Sequence, residues 1–176
     1  REYLEEEGYH RYEISNYARE GYACRHNQVY WQRGDYAGFG LGASSMVCDV
    51  RWRIPETMEE YRAYVENMQE SPEAGRDCMD LASWQKNGGK QGVKERQVLG
   101  AKEQMEEYMF LGLRMMCGVN CRGFHDKFGQ DMEAVYGAVL DKMMSQGLLL
   151  REDGYIKLSD RGIDVSNYVM AGFLLD

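Results

Sequence analysis

The chain has 176 residues, with 21 Lys or Arg against 29 Asp or Glu and a formal net charge of −8. That length buries one good core, or one small domain plus part of another. The acidic balance opposes approach to phosphate backbones and argues against nucleic acid as a partner. No apolar run approaches the roughly 20 residues that span a bilayer, so no transmembrane segment is expected. Cys24, Cys48, Cys78, Cys117 and Cys121 are odd in number and lack a disulfide-framework spacing, which fits a reducing cytoplasm. The sequence opens at Arg1 in Glu-rich helical sequence with no signal peptide, and reads as a cut inside a longer protein.

Taken in chain order, Arg1 to Glu7 reads as the last turns of a helix closed by Gly8. Tyr9 to Ser15 reads as a strand, and helix, glycine, strand and long loop make one step of an α/β barrel or doubly wound sheet. Asn16 to Asp35 reads as a loop too long to be a mere connector. Gly38, Gly40 and Gly42 alternate on the expected last barrel strand and its exit, and a strand follows through Met46 to Trp52. Thr57-Met58-Glu59-Glu60 is a capping box opening a helix with Met58, Tyr61, Tyr64, Val65 and Met68 on one face, stopped by Ser71-Pro72. Gln85 to Arg96 is polar and glycine-rich, and reads as an exposed loop between two lobes.

The second lobe has a stripe of Met105, Tyr108, Met109, Gly112, Leu113 and Met116, stopped by Gly118. Phe124 to Phe128 is a short helix. Asp131 caps a third helix, which turns Met132, Val135, Tyr136, Val139, Leu140 and Met143 inward. Leu148 to Leu150 and Tyr155 to Leu158 flank a hairpin turn at Glu152-Asp153-Gly154. Ser159 or Asp160 caps a last helix with Ile163, Val165, Val169 and Phe173. The expected class is α+β. Residues 1–54 would be terminal barrel strands, 55–98 a helix and linker, and 99–176 a small, mostly helical, winged-helix-like domain.

Three clusters carry chemistry. Tyr12-Glu13-Ile14-Ser15-Asn16 ends the expected first strand, where α/β barrels keep their active-site mouths; the alternative for Glu13 is a buried structural carboxylate paired to an Arg. His26-Asn27-x-x-Tyr30-Trp31 places an imidazole, an amide and two large aromatics within six residues. Haem needs an axial nitrogen or sulfur and flat apolar surface, and such a cluster supplies both. The alternative is a segment pinned by a hydrogen-bonded His over buried rings. Gly38-Phe39-Gly40-Leu41-Gly42-Ala43-Ser44-Ser45 lets a ligand lie against bare backbone, or is simply a tight turn.

In this order, the three clusters resemble the HemW and oxygen-independent coproporphyrinogen III oxidase family of radical S-adenosylmethionine (SAM) proteins. Glu107-x-x-x-Leu111-Gly112-Leu113-Arg114, Phe124-x-x-x-Phe128-Gly129 and Leu158-Ser159-x-x-Gly162 extend the resemblance to the C-terminal domain of these proteins. The resemblance implies that Gly40, Gly42, Ala43 and Ser44 contact SAM, and that Glu13 and Asn16 line the active-site face. It also implies that His26, Asn27, Tyr30 and Trp31 meet haem, with His26 on the iron. The full-length protein would then hold SAM and a [4Fe–4S] cluster. The cysteine triplet for that cluster is absent from this sequence, and Cys117 and Cys121 alone do not replace it.

The expected function is that of the C-terminal part of a haem chaperone, acting in haem delivery to an accepting protein. The alternatives are coproporphyrinogen III dehydrogenase, an oxidoreductase of porphyrin biosynthesis, and a winged-helix interaction module. From Leu99 onward acidic residues outnumber basic ones, and the segment Asp131 to Gln146 sets Asp131, Glu133 and Asp141 against Lys142, which disfavours DNA.

Overall fold

The structure is a computed structural model that describes residues 1–69 and 94–175. Its contacts cluster into two compact units, Arg1–Arg33 with Ala101–Asp176, and Gly34–Gly100. Among the described residues helix and sheet are mixed, every strand pairing is antiparallel, and no barrel closes.

In the first unit, α1 (Glu2–Glu6) ends where Gly8 turns left-handed at φ 78°. Only β1 (His10–Arg11) of the expected strand Tyr9 to Ser15 enters a ladder, pairing antiparallel with β2 (Tyr17–Ala18). The barrel step expected there is therefore corrected to a small hairpin. The backbone beyond it is satisfied by distant chain. Ile14 N donates to Arg114 O at 3.0 Å, and Met116 N donates to Tyr12 O at 3.1 Å. The expected loop Asn16 to Asp35 is corrected as well, because α2 (Arg25–Trp31) lies inside it. Cys24 enters in extended conformation, and Gln28 N closes the first turn on Cys24 O at 3.1 Å.

In the second unit, the single strand expected over Met46 to Trp52 is two, β3 (Ser44–Val47) and β4 (Val50–Arg53). Between them Cys48 and Asp49 both take positive φ, 47° and 62°, the conformation of a type I′ turn. The sequence hides this turn because only Asp49, without a Gly or Asn beside it, marks it. Val47, Val50 and Trp52 form its core. In α3 (Met58–Gln69) the capping box is present: Glu60 N donates to Thr57 Oγ1 at 3.4 Å, and that hydroxyl donates to Glu60 Oε2 at 2.9 Å. On the expected face, Tyr64 is buried and Met58, in the first turn, is exposed. The expected stop at Ser71-Pro72 and residues 85–93 of the expected loop lie outside the described residues. Residues 94–96 of that loop belong instead to β5 (Lys94–Val98), which pairs with β4 to give the order β3-β4-β5.

Returning to the first unit, α4 (Ala101–Gly112) stops short of the expected Gly118. Leu113 to Gly118 winds through turns instead, and this frees its backbone to bond Tyr12 and Ile14. Next come β6 (Val119–Asn120) and α5 (Cys121–Phe128), which Asn120 caps by accepting from Gly123 N at 2.7 Å. In α6 (Met132–Ser145) Asp131 holds the N-cap position but makes no cap bond, since its carboxylate pairs with His125 Nδ1 at 3.0 Å. The hairpin β7 (Leu149–Glu152) and β8 (Tyr155–Leu158) turns on Asp153 and Gly154, and β6 adds to it in the order β6-β8-β7. Ser159 caps α7 (Asp160–Asp164) by accepting from Gly162 N at 2.9 Å. The expected single last helix breaks at Val165, which is exposed rather than inward, before α8 (Ser166–Ala171).

The core of this unit is aromatic at its centre. Phe124 is fully buried, 4.8 Å from Phe128 and 5.7 Å from Tyr108 between ring centroids, and Tyr136 stands 5.3 Å from Phe173. Tilted and edge-to-face aromatic pairs of this kind add about 0.5–1.5 kcal/mol each beyond their area.

Candidate functional site

Helical spacing sorts the second cluster into two adjoining stripes. His26 and Tyr30 are four residues apart, so they share a face of α2, with ring centroids 4.8 Å apart and planes at 87°. His26 is exposed and Tyr30 is half-buried. Asn27 and Trp31 form the next stripe, both half-buried. An exposed imidazole steadied by a ring edge keeps a nitrogen open to an incoming ligand. Its donor type and the apolar face beside it fit a haem iron and macrocycle.

A seven-residue helix has little stability of its own, so other segments must hold it. The guanidinium carbon of Arg114 lies 4.2 Å from the centroid of the Trp31 ring. The same guanidinium reaches Glu13 Oε2 at 3.2 Å and Ser15 Oγ at 3.5 Å. Glu13 is fully buried, and its other oxygen accepts from Ser15 N at 2.8 Å and Asn16 Nδ2 at 2.7 Å. Just past α2, Arg33 Nε donates to Glu107 Oε2 on α4 at 3.0 Å, with both side chains largely out of solvent. Glu13, Asn16 and Trp31 are thus brought together around Arg114. That residue, with Arg33 and Glu107, is what the reading of sites from sequence missed. The available signal was a charge inside apolar stripes at Glu107 and Arg114.

Trp31, Arg33, Tyr108, Met115, Cys117 and Tyr155 line a cleft of about 230 Å³ in this unit. Burial pushes the thiols of Cys117 and Cys121 above their ordinary range, and for Cys121 the charge of Glu133 adds to it. A metal thiolate requires the opposite shift. No group of three His, Cys, Asp or Glu among the described residues is placed to hold a metal ion. Among the described residues, Cys117 and Cys121 do not fit a [4Fe–4S] cluster.

The glycine cluster lies in the second unit. Its glycines form a turn ahead of β3, in line with the tight-turn reading and not with a place on a barrel strand. Gly38 N donates to Ser45 Oγ at 3.0 Å, and Gly42 N donates to Pro55 O at 3.0 Å, so the turn is anchored at both ends. At its tip Gly40 has φ 94°, and a side chain there would meet nothing within 4 Å. The tip is bare, left-handed backbone that a flat ligand could approach. Ala43 follows, and Ser44 opens β3 opposite Arg53 with its side chain exposed.

The family described as the HemN C-terminal domain matches residues 99–165. The heme chaperone HemW of Lactococcus lactis subsp. lactis (strain IL1403) is 32% identical over 173 residues, 98% of this chain and 40% of that protein. The heme chaperone HemW of Bacillus subtilis (strain 168) is 29% identical over 97% of this chain and 40% of its own length. The chain therefore spans about 40% of the length of these curated relatives. Among solved structures, the coproporphyrinogen III oxidase HemN of Escherichia coli, a radical SAM enzyme, superposes with a TM-score of 0.63 at 13% identity. That match covers 98% of this chain and 38% of HemN, and it shows a shared fold. No helix among the described residues is long and apolar enough to cross a membrane. With a HemN C-terminal domain over residues 99–165 and HemW relatives along nearly its whole length, the chain belongs to the HemW-like and coproporphyrinogen III oxidase-like radical SAM family, of which it is a C-terminal portion.

Proposed function

We propose that this chain is the C-terminal part of a HemW-like haem chaperone, and that α2 presents His26 to the iron of its haem cargo. The observation that carries the reading is the exposed His26 imidazole held edge-on to Tyr30 at 4.8 Å. Here the neutral imidazole donates its lone pair, Tyr30 and Trp31 offer apolar surface to the porphyrin, and Asn27 offers a polar contact beside them. Binding from one exposed face, rather than inside a closed pocket, suits a protein that must pass its cargo to an accepting protein. The HemW relatives support this branch over an oxidative decarboxylase.

In the full-length protein, SAM bound at a [4Fe–4S] cluster would supply radical chemistry. Residues 1–54 are proposed to adjoin the barrel of that full-length protein. Gly40, Gly42, Ala43 and Ser44 would then offer backbone to SAM, and an active-site role for Glu13 and Asn16 is proposed separately. Residues 55–98 would join that part to a winged-helix-like domain at 99–176, which is proposed to serve protein contact in the cytoplasm rather than DNA.

Haem titration followed in the Soret band tests the cargo reading. His26→Ala should weaken binding tenfold or more, about 1.4 kcal/mol. His10→Ala, which removes only an exposed pair with Glu5, should not. Equal affinity of His26→Ala and the parent, in this chain and in the full-length protein, would refute the assignment.

A further inference from the structure

We infer that Arg114 is a positioning residue for the ligand face of α2: by stacking on Trp31 while bound to Glu13, it sets the rotation of the helix that carries His26. This rests on the haem reading above. The spacing supports it. Trp31 ends α2 and Arg33 lies two residues further on, where Arg114, just past α4, and Glu107, on α4, meet them. One attachment on the last turn and one just past it constrain both the azimuth and the depth of a helix too short to fix itself. His26, one turn earlier on the same rigid rod, then points where Trp31 allows.

Arg114 is suited to this task by shape as well as charge. Its plane covers an indole face, while an edge reaches Glu13 Oε2 at 3.2 Å. Trp31 Nε1 and Arg114 Nε are both buried without a hydrogen-bond partner among the described residues, so stacking is what the structure gives the pair to hold it in place. Glu13 is fully buried and held by Ser15 N and Asn16 Nδ2, which makes it a fixed post for the guanidinium. One side chain thereby joins three segments distant in sequence: the 12–16 cluster, the 26–31 cluster and the C-terminal domain.

The experiment compares the parent with Arg114→Met, Arg114→Lys, His26→Ala and a control, Arg122→Ala, whose exposed side chain pairs only loosely with Asp126 at 3.9 Å. Amide hydrogen exchange of the haem-free protein is read separately over α2 and α6, and each variant is then titrated with haem. Positioning requires that Arg114→Met lower protection of α2 at least tenfold, with α6 unchanged, and weaken haem binding tenfold. Arg114→Lys, which keeps the charge near Glu13 but not the planar stack, should fall between Arg114→Met and the parent. Unchanged α2 protection in Arg114→Met overturns the inference, as does equal loss across α2 and α6, which would mark a general stability role. Lost α2 protection with haem binding kept, while His26→Ala loses it, also overturns the functional half. If His26→Ala binds as tightly as the parent, the haem reading itself fails, which is a different result from any of these.

Discussion

Tyr136 offers a test in which a substitution in the core should stabilise the protein. Its ring is 1% exposed and packs against Phe124 and Phe173, yet its hydroxyl has no hydrogen-bond partner among the described residues. A buried donor left unpaired costs about 1–3 kcal/mol relative to water. Tyr136→Phe keeps the ring and removes that cost. The oxygen leaves a gap of roughly 10 Å³, worth about 0.2 kcal/mol at the usual penalty for cavities. The net expectation is stabilisation of about 1 kcal/mol or more, with the midpoint of thermal unfolding raised by about 2–4 °C per kcal/mol.

The same residue gives a pH signature. Burial, reinforced by the charge of Glu106, pushes the Tyr136 phenol well above its ordinary 10.0. Because the folded state holds this proton more tightly than the unfolded chain, the term is fully present below pH 10. It is lost as the pH climbs from there toward the raised folded value. The advantage of Tyr136→Phe should therefore widen above that point. The assay is urea unfolding by circular dichroism at neutral pH and again above pH 10, with the slope m checked for constancy. A variant less stable than the parent by 1 kcal/mol or more at neutral pH would show that the hydroxyl is bonded, and would refute the reasoning.

Three further outcomes follow from the same geometry. Gly118 has φ 75°, and a Cβ there would strike the backbone carbonyl of Ile156, so Gly118→Ala should cost more than about 1 kcal/mol in urea unfolding; a smaller cost would mean the β6–β8 contact can shift. Ser159 accepts from Gly162 N and donates to Gly147 O at 2.7 Å, so Ser159→Ala should cost about 1–2 kcal/mol, whereas Arg151→Ala, on an exposed pair with Glu133, should cost under about 1. Duplex DNA should give no mobility shift at physiological salt with micromolar protein, since the exposed part of α6 carries Glu133 and Asp141; a salt-dependent shift would revive a DNA-binding role for the C-terminal unit.

What the sequence revealed depended on whether one residue or a pair carried the signal. The capping box at Thr57, the hairpin at Asp153-Gly154 and the stripe of Met132, Tyr136, Leu140 and Met143 are local patterns, and each sits where it was expected. The type I′ turn at Cys48-Asp49 was not legible, because Asp49 alone, without the Gly or Asn that usually accompanies it, does not mark a break inside an apolar run. Helix α2 was missed for a related reason: a seven-residue helix with no capping side chain and a polar, aromatic sequence gives almost no periodic signal. It is held through Arg33 by Glu107, 74 residues further along the chain, and through Trp31 by Arg114, 83 residues further along. The clusters at 12–16 and 26–31 could be recognised one by one, but nothing in either says that the first supplies the carboxylate and the second the ring for one guanidinium. That link exists only because α4 stops at Gly112 and turns its next residues back onto Tyr12 and Ile14. An isolated charge at the end of an apolar stripe, with no neighbour at helical spacing to pair with, is the trace such a link leaves in sequence. At Arg114 it marked the residue around which the candidate site is assembled.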